Sequence, residues 1–159
     1  MVLRGVSICK RHFLQEFWQE LVLVKSNSIQ VEGEVRLIVA IRGAITVDKN
    51  DREQMLAATK QMVSELMTRN ELSEDDLISL IFTVTQDLNQ AFPAEAARNL
   101  GLTNTPLMCT VEIPVPGSLP RCIRVLVHCH SDLNKDQVQH VYLRQAVNLR
   151  RDLVKDDLR

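Results

Sequence analysis

The sequence contains few aromatic residues and no excess of either charge. Phenylalanine, tyrosine and tryptophan together make up 4% of its 159 residues, so aliphatic side chains and methionine must supply most of the core. The net charge of -1 excludes the basic excess that non-specific nucleic-acid binding requires. No apolar run approaches the length that a bilayer span needs. We therefore expect one ordinary globular domain, with neither nucleic acid nor membrane as a partner.

The cysteines show no paired spacing. They are Cys9, Cys109, Cys122 and Cys129, and they form no C-x-x-C motif. In the absence of a secretory apolar segment, free thiols in a reducing cytoplasm are the expected state. His128 and His130 would share one strand face, but no further ligands stand at a metal-binding spacing. The sequence also lacks a glycine loop that would hold phosphate, so we expect no metal and no cofactor.

Residues 1–34 differ from the rest of the chain. Large apolar side chains such as Phe13, Phe17 and Leu21 recur at helical spacing between polar ones, which indicates an amphipathic helix. Residues 25–34 then have the composition of a linker. A docking helix and a packing helix both fit this N-terminal extension, and residues upstream of the true start codon are a third interpretation.

From residue 35 the chain alternates between strand and helix patterns. We predict strands at residues 35–43 and 77–85, helices at 50–70 and 93–100, a hairpin at 107–127, a helix from 134 or 136 to 145, and a short strand at 146–149. Asn50 and Glu53 resemble a capping box for the first helix. This order predicts an α+β fold, with a mixed β-sheet and helices on one face.

The other face of such a sheet needs a cover. Self-association into a homo-oligomer is the simplest one, since most soluble oligomers are homo-oligomers. We assign the folded domain to residues 35–153 and a flexible charged tail to residues 154–159.

The predicted hairpin carries two opposite charges where the pattern favours core residues. Glu112 lies as many residues before Ser118 as Arg124 lies after it, so a symmetric hairpin would make them cross-strand neighbours. Strand alternation places Met108 and Thr110 on the same face. A water-exposed ion pair is the ordinary interpretation, and it would stabilise the fold little. The alternative is a binding site in which a polar ligand completes the pair.

Further arginines favour the binding site. Arg42 ends the first strand, Arg98 lies on the second helix, and Arg144 and Arg150 follow Tyr142 near the end of the last predicted helix. Arginine binds carboxylates through a rigid two-pronged fork. Several arginines at the ends of elements therefore indicate a dianionic ligand.

A set of motifs occurs in the order found in one enzyme family. They are IRGAITV at residues 41–47, AFPAEAAR at 91–98, CTVEIPV at 109–115, CIRV at 122–125 and QHVYLRQAVNLR at 139–150. In these motifs the sequence resembles the trimeric, AroH-class chorismate mutases over residues 35–153. The resemblance implies a ferredoxin-like, chorismate mutase-type fold and a homotrimeric pseudo-α/β barrel with active sites between subunits. It also implies the cofactor-free Claisen rearrangement of chorismate to prephenate, in cytoplasmic phenylalanine and tyrosine biosynthesis.

The resemblance also assigns roles to single residues. It implies that Arg124 and Glu112 are catalytic, with Arg124 at the ether oxygen and Glu112 accepting the ring hydroxyl. The substrate-binding residues that it implies are Arg42 and Tyr142 on the carboxylate side, Phe92 and Leu149 in the apolar wall, Arg98 and Arg150 near the mouth, and Met108, Cys109, Thr110 and Val111 on the strand before Glu112.

Two positions depart from the expected pattern. Cys109 and Glu112 fall on opposite strand faces, so a shared site requires a bulge or a backbone contact. Glu95 stands where the family often has a basic residue, and an acid there would weaken the attraction of a dianion.

Two other functions fit parts of the sequence. A non-catalytic module that binds aromatic-pathway carboxylates would keep the arginines without needing Arg124 at a reacting oxygen. A trimeric enamine deaminase of similar architecture also uses an interfacial arginine, but the combination of Glu112, Arg124 and Tyr142 argues against it.

Overall fold

The computed structural model describes residues 36–153, and the predicted N-terminal helix, the linker and the charged tail lie outside the described residues. Its strands are β1 (Leu37–Thr46), β2 (Leu77–Val84), β3 (Leu107–Val111), β4 (Cys122–Ser131) and β5 (Val141–Leu143). Its helices are α1 (Arg52–Arg69) and α2 (Pro93–Asn99), and short 3-10 turns span Glu74–Asp76 and Arg144–Leu149. Within these residues no helix is both long enough and apolar enough to cross a membrane.

The strands of the described region form one mixed sheet in the order β3-β2-β4-β1-β5. β4 is antiparallel to both of its neighbours, β1 and β2, whereas β3 and β5 run parallel to β2 and β1. Burial alternates along β4, where Val125 and Val127 are buried but Arg124 and Leu126 are only partly so. We call the covered side the inner face and the opposite side the outer face. The predicted mixed sheet with helices on one face is confirmed.

The core lies between the inner face and helix α1. The fully buried side chains of this core include Ile41, Ile45, Phe82, Met55, Met62 and Leu66. Burial of each such side chain contributes roughly 1.5–3 kcal/mol. Gly43 permits the close approach of helix and strand, because a Cβ there would lie 2.8 Å from Val125 Cγ1 and 3.2 Å from Met62 Cγ. The close packing at Gly43 therefore fixes the position of β1 at the residue next to Arg42.

The cap of helix α1 differs from the predicted one. Asp51 is the N-cap, and its side-chain oxygen accepts a hydrogen bond from the Gln54 N–H at 3.0 Å. The predicted box of Asn50 and Glu53 is wrong because the Asn50 side chain donates instead to Asn89 Oδ1 at 2.9 Å. The sequence offers two adjacent capping residues, and the loop contact decides between them.

The predicted hairpin is also wrong. β3 and β4 follow each other in sequence, but β2 lies between them, paired in parallel with β3 and antiparallel to β4. Pro114, Pro116 and Pro120 lie in the connection and supply no N–H to a ladder. Both edges of β4 are instead taken by long strands. Arg124 consequently faces Thr83 of β2 across the ladder, rather than Glu112.

The helix predicted from residue 134 or 136 to 145 is also wrong. The structure has turns there, followed by β5. Asn70 holds this segment extended, since its Nδ2 donates to the Gln139 carbonyl at 2.9 Å and its Oδ1 accepts from the Gln139 N–H at 2.7 Å. Tyr142 therefore lies on a strand paired with Ala44, and residues 146–149 belong to a 3-10 turn rather than to a strand.

Candidate active site

One row of side chains crosses the whole outer face of the sheet. The strand register aligns Thr110, Thr83, Arg124, Ala44 and Tyr142, one from each of the five strands. Because side chains at paired positions point to the same face, the Arg124 guanidinium emerges between the small side chains of Thr83 and Ala44. Small neighbours leave open space around a long cation, which is the local requirement for a binding site.

This row and the neighbouring row of Ile81, Leu126 and Arg42 line a groove of about 470 Å³. The charged and polar residues that line it are Arg42, Arg124, Arg150, Thr83 and Tyr142, and Leu149 and Ile81 are among its apolar ones. We name it the Arg124 groove. Three guanidinium groups and a phenol line one cavity, so it is suited to a ligand that carries more than one carboxylate.

Arg124 and Glu112 meet in this region, as the sequence predicted, although not as hairpin neighbours. Arg124 Nη1 donates to Glu112 Oε2 at 3.3 Å, and Thr83 Oγ1 donates to Glu112 Oε1. The side chains are 35% and 23% exposed. Thr83 stands between the two strands and holds the carboxylate in place, a role that sequence reasoning missed. Its signal was its polar side chain in a mostly apolar strand, a signal that it shares with Ser79.

The Arg124 Nε is buried and has no hydrogen-bond partner among residues 36–153. An unsatisfied buried donor costs about 1–3 kcal/mol, and more where the group is charged. A turn of the side chain that brought Nε to a ligand oxygen in the groove would remove this cost. The donor therefore points to a site that is completed by its ligand.

The floor beside Arg124 is apolar and closely packed. Cys122 and Ala44 are fully buried together with Ala146, and Tyr142 and Leu149 pack against them. Burial raises the pKa of the Cys122 thiol, although the nearby Arg124 opposes this shift. The thiol thus stays neutral and adds no second negative charge next to Glu112.

Arg42 is anchored through its backbone. β5 begins at Val141, so the Arg42 N–H lies just beyond the β1–β5 pairing, and it donates to His140 Nδ1 at 3.1 Å. Burial lowers the pKa of His140, and the positive charges of Arg42 and Arg150 lower it further. A neutral imidazole is required, because a protonated Nδ1 could not accept this hydrogen bond.

Arg144 is a structural residue rather than a ligand arginine. Its backbone has a φ of 55°, in the left-handed region, which costs a non-glycine residue roughly 1–3 kcal/mol. Its guanidinium donates to the Thr46 carbonyl at 3.0 Å and to Gln61 Oε1 at 3.1 Å. These bonds hold the turn that carries Leu149 and Arg150 to the Arg124 groove.

Four of the remaining predicted residues line a second groove, of about 400 Å³. Its lining includes Phe92, Cys109, Thr110, Val111 and Arg52, and we name it the Phe92 groove. Phe92 is 71% exposed. Met108 lies on the outer face beside Ile81, while Arg98 is exposed on α2 and lines neither groove.

The strand that carries Cys109 is regular. β3 pairs with β2 residue by residue from Leu107 to Val111, without a register shift. Cys109 is half-buried against the core, whereas Glu112 meets Arg124 on the outer face. The predicted opposition of the two side chains is therefore real, and the bulge considered from the sequence is absent from β3.

Comparisons with known proteins identify a family. The sequence model of the family "Chorismate mutase type I" matches residues 38–153. The chain is 49% identical over 118 residues to "Chorismate mutase AroH" of Thermus thermophilus, covering 74% of this chain and 97% of that protein. It is 39% identical over 118 residues to the protein of the same name from Bacillus subtilis (strain 168), covering 74% of this chain and 93% of the other. A solved chorismate mutase from Clostridium thermocellum superposes with a TM-score of 0.67 at 54% identity, covering 68% of this chain and 96% of that one.

Proposed function

Because this chain belongs to the chorismate mutase type I family and is a chorismate mutase, we propose that Arg124 and Glu112 are its catalytic pair and that the Arg124 groove holds the reacting substrate. The reaction is the Claisen rearrangement of chorismate to prephenate, a step of aromatic amino acid biosynthesis.

The chemistry of the rearrangement accounts for the residue types. One carbon–oxygen bond of the ether breaks and one carbon–carbon bond forms within the same molecule, with no nucleophile and no proton transfer. The protein must hold a flexible dicarboxylate in a compact shape with the reacting carbons close together. Negative charge grows on the ether oxygen as its bond breaks. A fixed cation at that oxygen stabilises the transition state more than the ground state, which raises kcat.

The unpaired Nε of Arg124 is the observation that carries the proposal. The Glu112 bond to Nη1 and the strand position of Arg124 restrain the guanidinium, while Nε is already removed from water. A donor that is oriented and dehydrated before the substrate arrives requires little reorganisation in the transition state. Glu112 keeps acceptor capacity beyond its bonds to Thr83 and Arg124, since a carboxylate offers about four lone-pair sites. We assign this capacity to the ring hydroxyl.

The rest of the Arg124 groove binds the unreactive parts of the substrate. Arg42 and Tyr142 bind carboxylate oxygens on one side of the groove. Leu149 packs against the ring. Arg150 attracts the second carboxylate. Without substrate its guanidinium donates to Asp152 at 2.9 Å from Nε and 2.7 Å from Nη2, and substrate binding replaces these bonds.

The catalytic form in this proposal is a homotrimer with its active sites between subunits. Most of the residues assigned to substrate binding fall into two separate grooves of one chain, and Phe92 and Val111 of the second are exposed. The large exposed apolar side chains include Phe92, Met108, Val111, Ile113 and Val115. Exposed apolar side chains in such number favour burial against another protomer. In the assembly, the Phe92 groove of one protomer closes the Arg124 groove of its neighbour. The apolar wall also includes Cys109, through its backbone, and Arg98 lies near the mouth.

A cytoplasmic location is part of the same proposal. Within residues 36–153, Cys109, Cys122 and Cys129 are free thiols. Unpaired buried cysteines are typical of proteins that fold in a reducing compartment.

An Arg124→Gln variant tests the catalytic assignment. Loss of the charge and of the aligned donors should lower kcat by at least about 10²–10³-fold, while the oligomer stays intact. The measurement is the loss of chorismate absorbance and the appearance of prephenate, together with the molecular mass in solution. Arg121→Gln is the matched control, since Arg121 is exposed just before β4. An Arg124→Gln enzyme that keeps the control's kcat would refute the assignment.

A further inference from the structure

Arg52 is a cation of the Phe92 groove that the sequence patterns did not single out. It is the first residue of helix α1, and its side chain is 56% exposed along the groove that contains Phe92 and Val111. The N-terminal end of a helix carries partial positive charge and favours acidic residues. Arginine at this position is therefore unfavourable for the helix itself, and its location at a groove wall suggests another role.

Glu95 restrains this cation. The carboxylate of Glu95, in the first turn of α2, accepts a hydrogen bond from Arg52 Nη2. Among the described residues, Glu95 is the hydrogen-bond partner of this guanidinium. A guanidinium carries five N–H donors, so the pair leaves most of the fork open towards the groove. The pair also weakens the local field, because a neighbouring carboxylate cancels much of the attraction of Arg52 for a distant anion.

We propose that Arg52 is a further substrate-recognition residue, which attracts the dicarboxylate substrate at the Phe92 groove, and that Glu95 limits this attraction. The proposal rests on the interfacial site described above, in which the Phe92 groove closes the site that contains Arg124. It also revises the expected effect of Glu95: the acid weakens attraction of a dianion, but it does so by holding a cation that faces the same groove.

The role differs from that of Arg124. Arg52 acts on carboxylates that keep their charge throughout the rearrangement, so it binds the ground state and the transition state equally. Uniform binding of this kind changes KM and leaves kcat unchanged. The interaction is partly exposed, so salt should weaken it.

A set of charge-neutralising variants tests this assignment. They are Arg52→Gln, Glu95→Gln and the double variant, with Arg69→Gln and Glu65→Gln as controls. The controls remove the same charges from an ion pair of 3.0 Å on the same helix, outside both grooves. The measurements are kcat and KM for chorismate at low and high ionic strength, with the oligomer mass of each variant.

Arg52→Gln should raise KM about three- to tenfold at low salt, since it removes the cation and leaves Glu95 unpaired. Glu95→Gln should lower KM by about two- to fivefold, which a folding defect could not produce. The double variant should lie between Arg52→Gln and the native protein. In all of them kcat should stay within about twofold of native, and high salt should reduce the differences.

The opposite results would overturn the inference. Arg52→Gln and Glu95→Gln with the same KM as their control variants would show that the pair only links the two helices. A fall in kcat at constant KM would also refute a uniform-binding role. The Arg124→Gln variant separates this inference from the proposed function. If that variant loses turnover while the Arg52 variants match their controls, the catalytic assignment holds and only the role of Arg52 fails.

Discussion

The two grooves of the chain differ in what fixes their side chains. In the Arg124 groove, Thr83 and Arg124 both donate to Glu112, and the histidine at position 140 accepts the Arg42 N–H. Partly buried hydrogen bonds of this kind restrain the side chains, because each group already has a specific partner. The charged groups of the reaction are thus oriented by one chain alone.

The Phe92 groove has the opposite character. Phe92 and Val111 are exposed, and its polar restraints are the ion pair of Arg52 with Glu95 and the hydrogen bonds between Asn50 and Asn89, all at exposed positions. Exposed apolar walls are energetically unfavourable until another surface covers them. We infer that the chemistry is preorganised within each protomer, whereas the enclosure of the substrate depends on assembly. The predictions below test this division.

Replacing Arg124 with lysine should have a large effect. Lysine keeps the positive charge but loses the planar fork and the buried Nε, so kcat should fall by about 100-fold. Steady-state kinetics on the purified enzyme measures this change. A lysine enzyme with more than about a third of native kcat would mean that charge alone, without donor geometry, explains the Arg124 groove.

Mixed assemblies of two variants test whether the grooves act across protomers. Arg124→Gln and Phe92→Asp protomers should each be nearly inactive alone, the second because a carboxylate in the wall repels the dianion. Refolded together, they should regain activity at about a quarter of the sites, those that combine two native grooves.

As the control, each variant is refolded separately and the two are then mixed under conditions in which protomers do not exchange. This mixture should stay inactive. If the co-refolded mixture stayed as inactive as its components, the two grooves would not form one site between subunits.

Thr83→Val should have a smaller effect. Valine has nearly the shape of threonine but cannot donate to Glu112, so the carboxylate loses one positioning bond worth about 1 kcal/mol. We expect kcat to fall roughly five- to tenfold, with little change in the temperature midpoint of unfolding. Ser79→Ala on the same strand is the control, since the Ser79 hydroxyl contacts His128 instead. Equal kcat for both variants would show that Thr83 does not position Glu112.

A pH dependence from His140 should be the smallest effect. Its pKa is lowered in the folded chain, so the unfolded state binds more protons as the pH falls through the ordinary value of about 6.5. The stability contributed by the neutral ring is therefore present above about pH 6.5 and is lost below it, as the pH falls through the lowered pKa. KM should rise over the same pH range, because protonated His140 can no longer accept the hydrogen bond from the Arg42 N–H.

His140→Gln should flatten both pH profiles, because an amide oxygen accepts the same bond without titrating. His130→Gln should leave both profiles as in the native protein. Thermal unfolding and KM between pH 5 and 8 provide the measurement, and an unaltered profile in His140→Gln would contradict this role.

Several features of the fold could be predicted because they depend on local pattern. The alternation along β4 follows from its period of two, and the buried stripe of α1 follows from Met55, Met62 and Leu66 at helical spacing. The proximity of Glu112 and Arg124 was also correctly expected, although for the wrong reason. A hairpin would have placed them on adjacent strands, but the contact spans β2 and uses the length of the arginine side chain.

The features that could not be predicted depend on contacts between distant segments. Asn70 holds Gln139 extended across the fold, so the expected last helix becomes the strand that carries Tyr142. Pairing of β3 with β2 likewise depends on α2, which returns the chain along the sheet in the parallel direction. Neither choice is visible in a window of ten to twenty residues.

By itself, the sequence determined the apolar periods, the residue types of the site and the family to which they belong, because these depend on composition and order along the chain. Only the tertiary structure decided that Thr83 stands between Glu112 and Arg124, that most of the substrate-binding residues divide between two grooves, and that Arg52 faces the second of them. The physical reason is that strand order and side-chain contacts are set by competition among segments far apart in sequence, and a local pattern holds no record of which partner prevails.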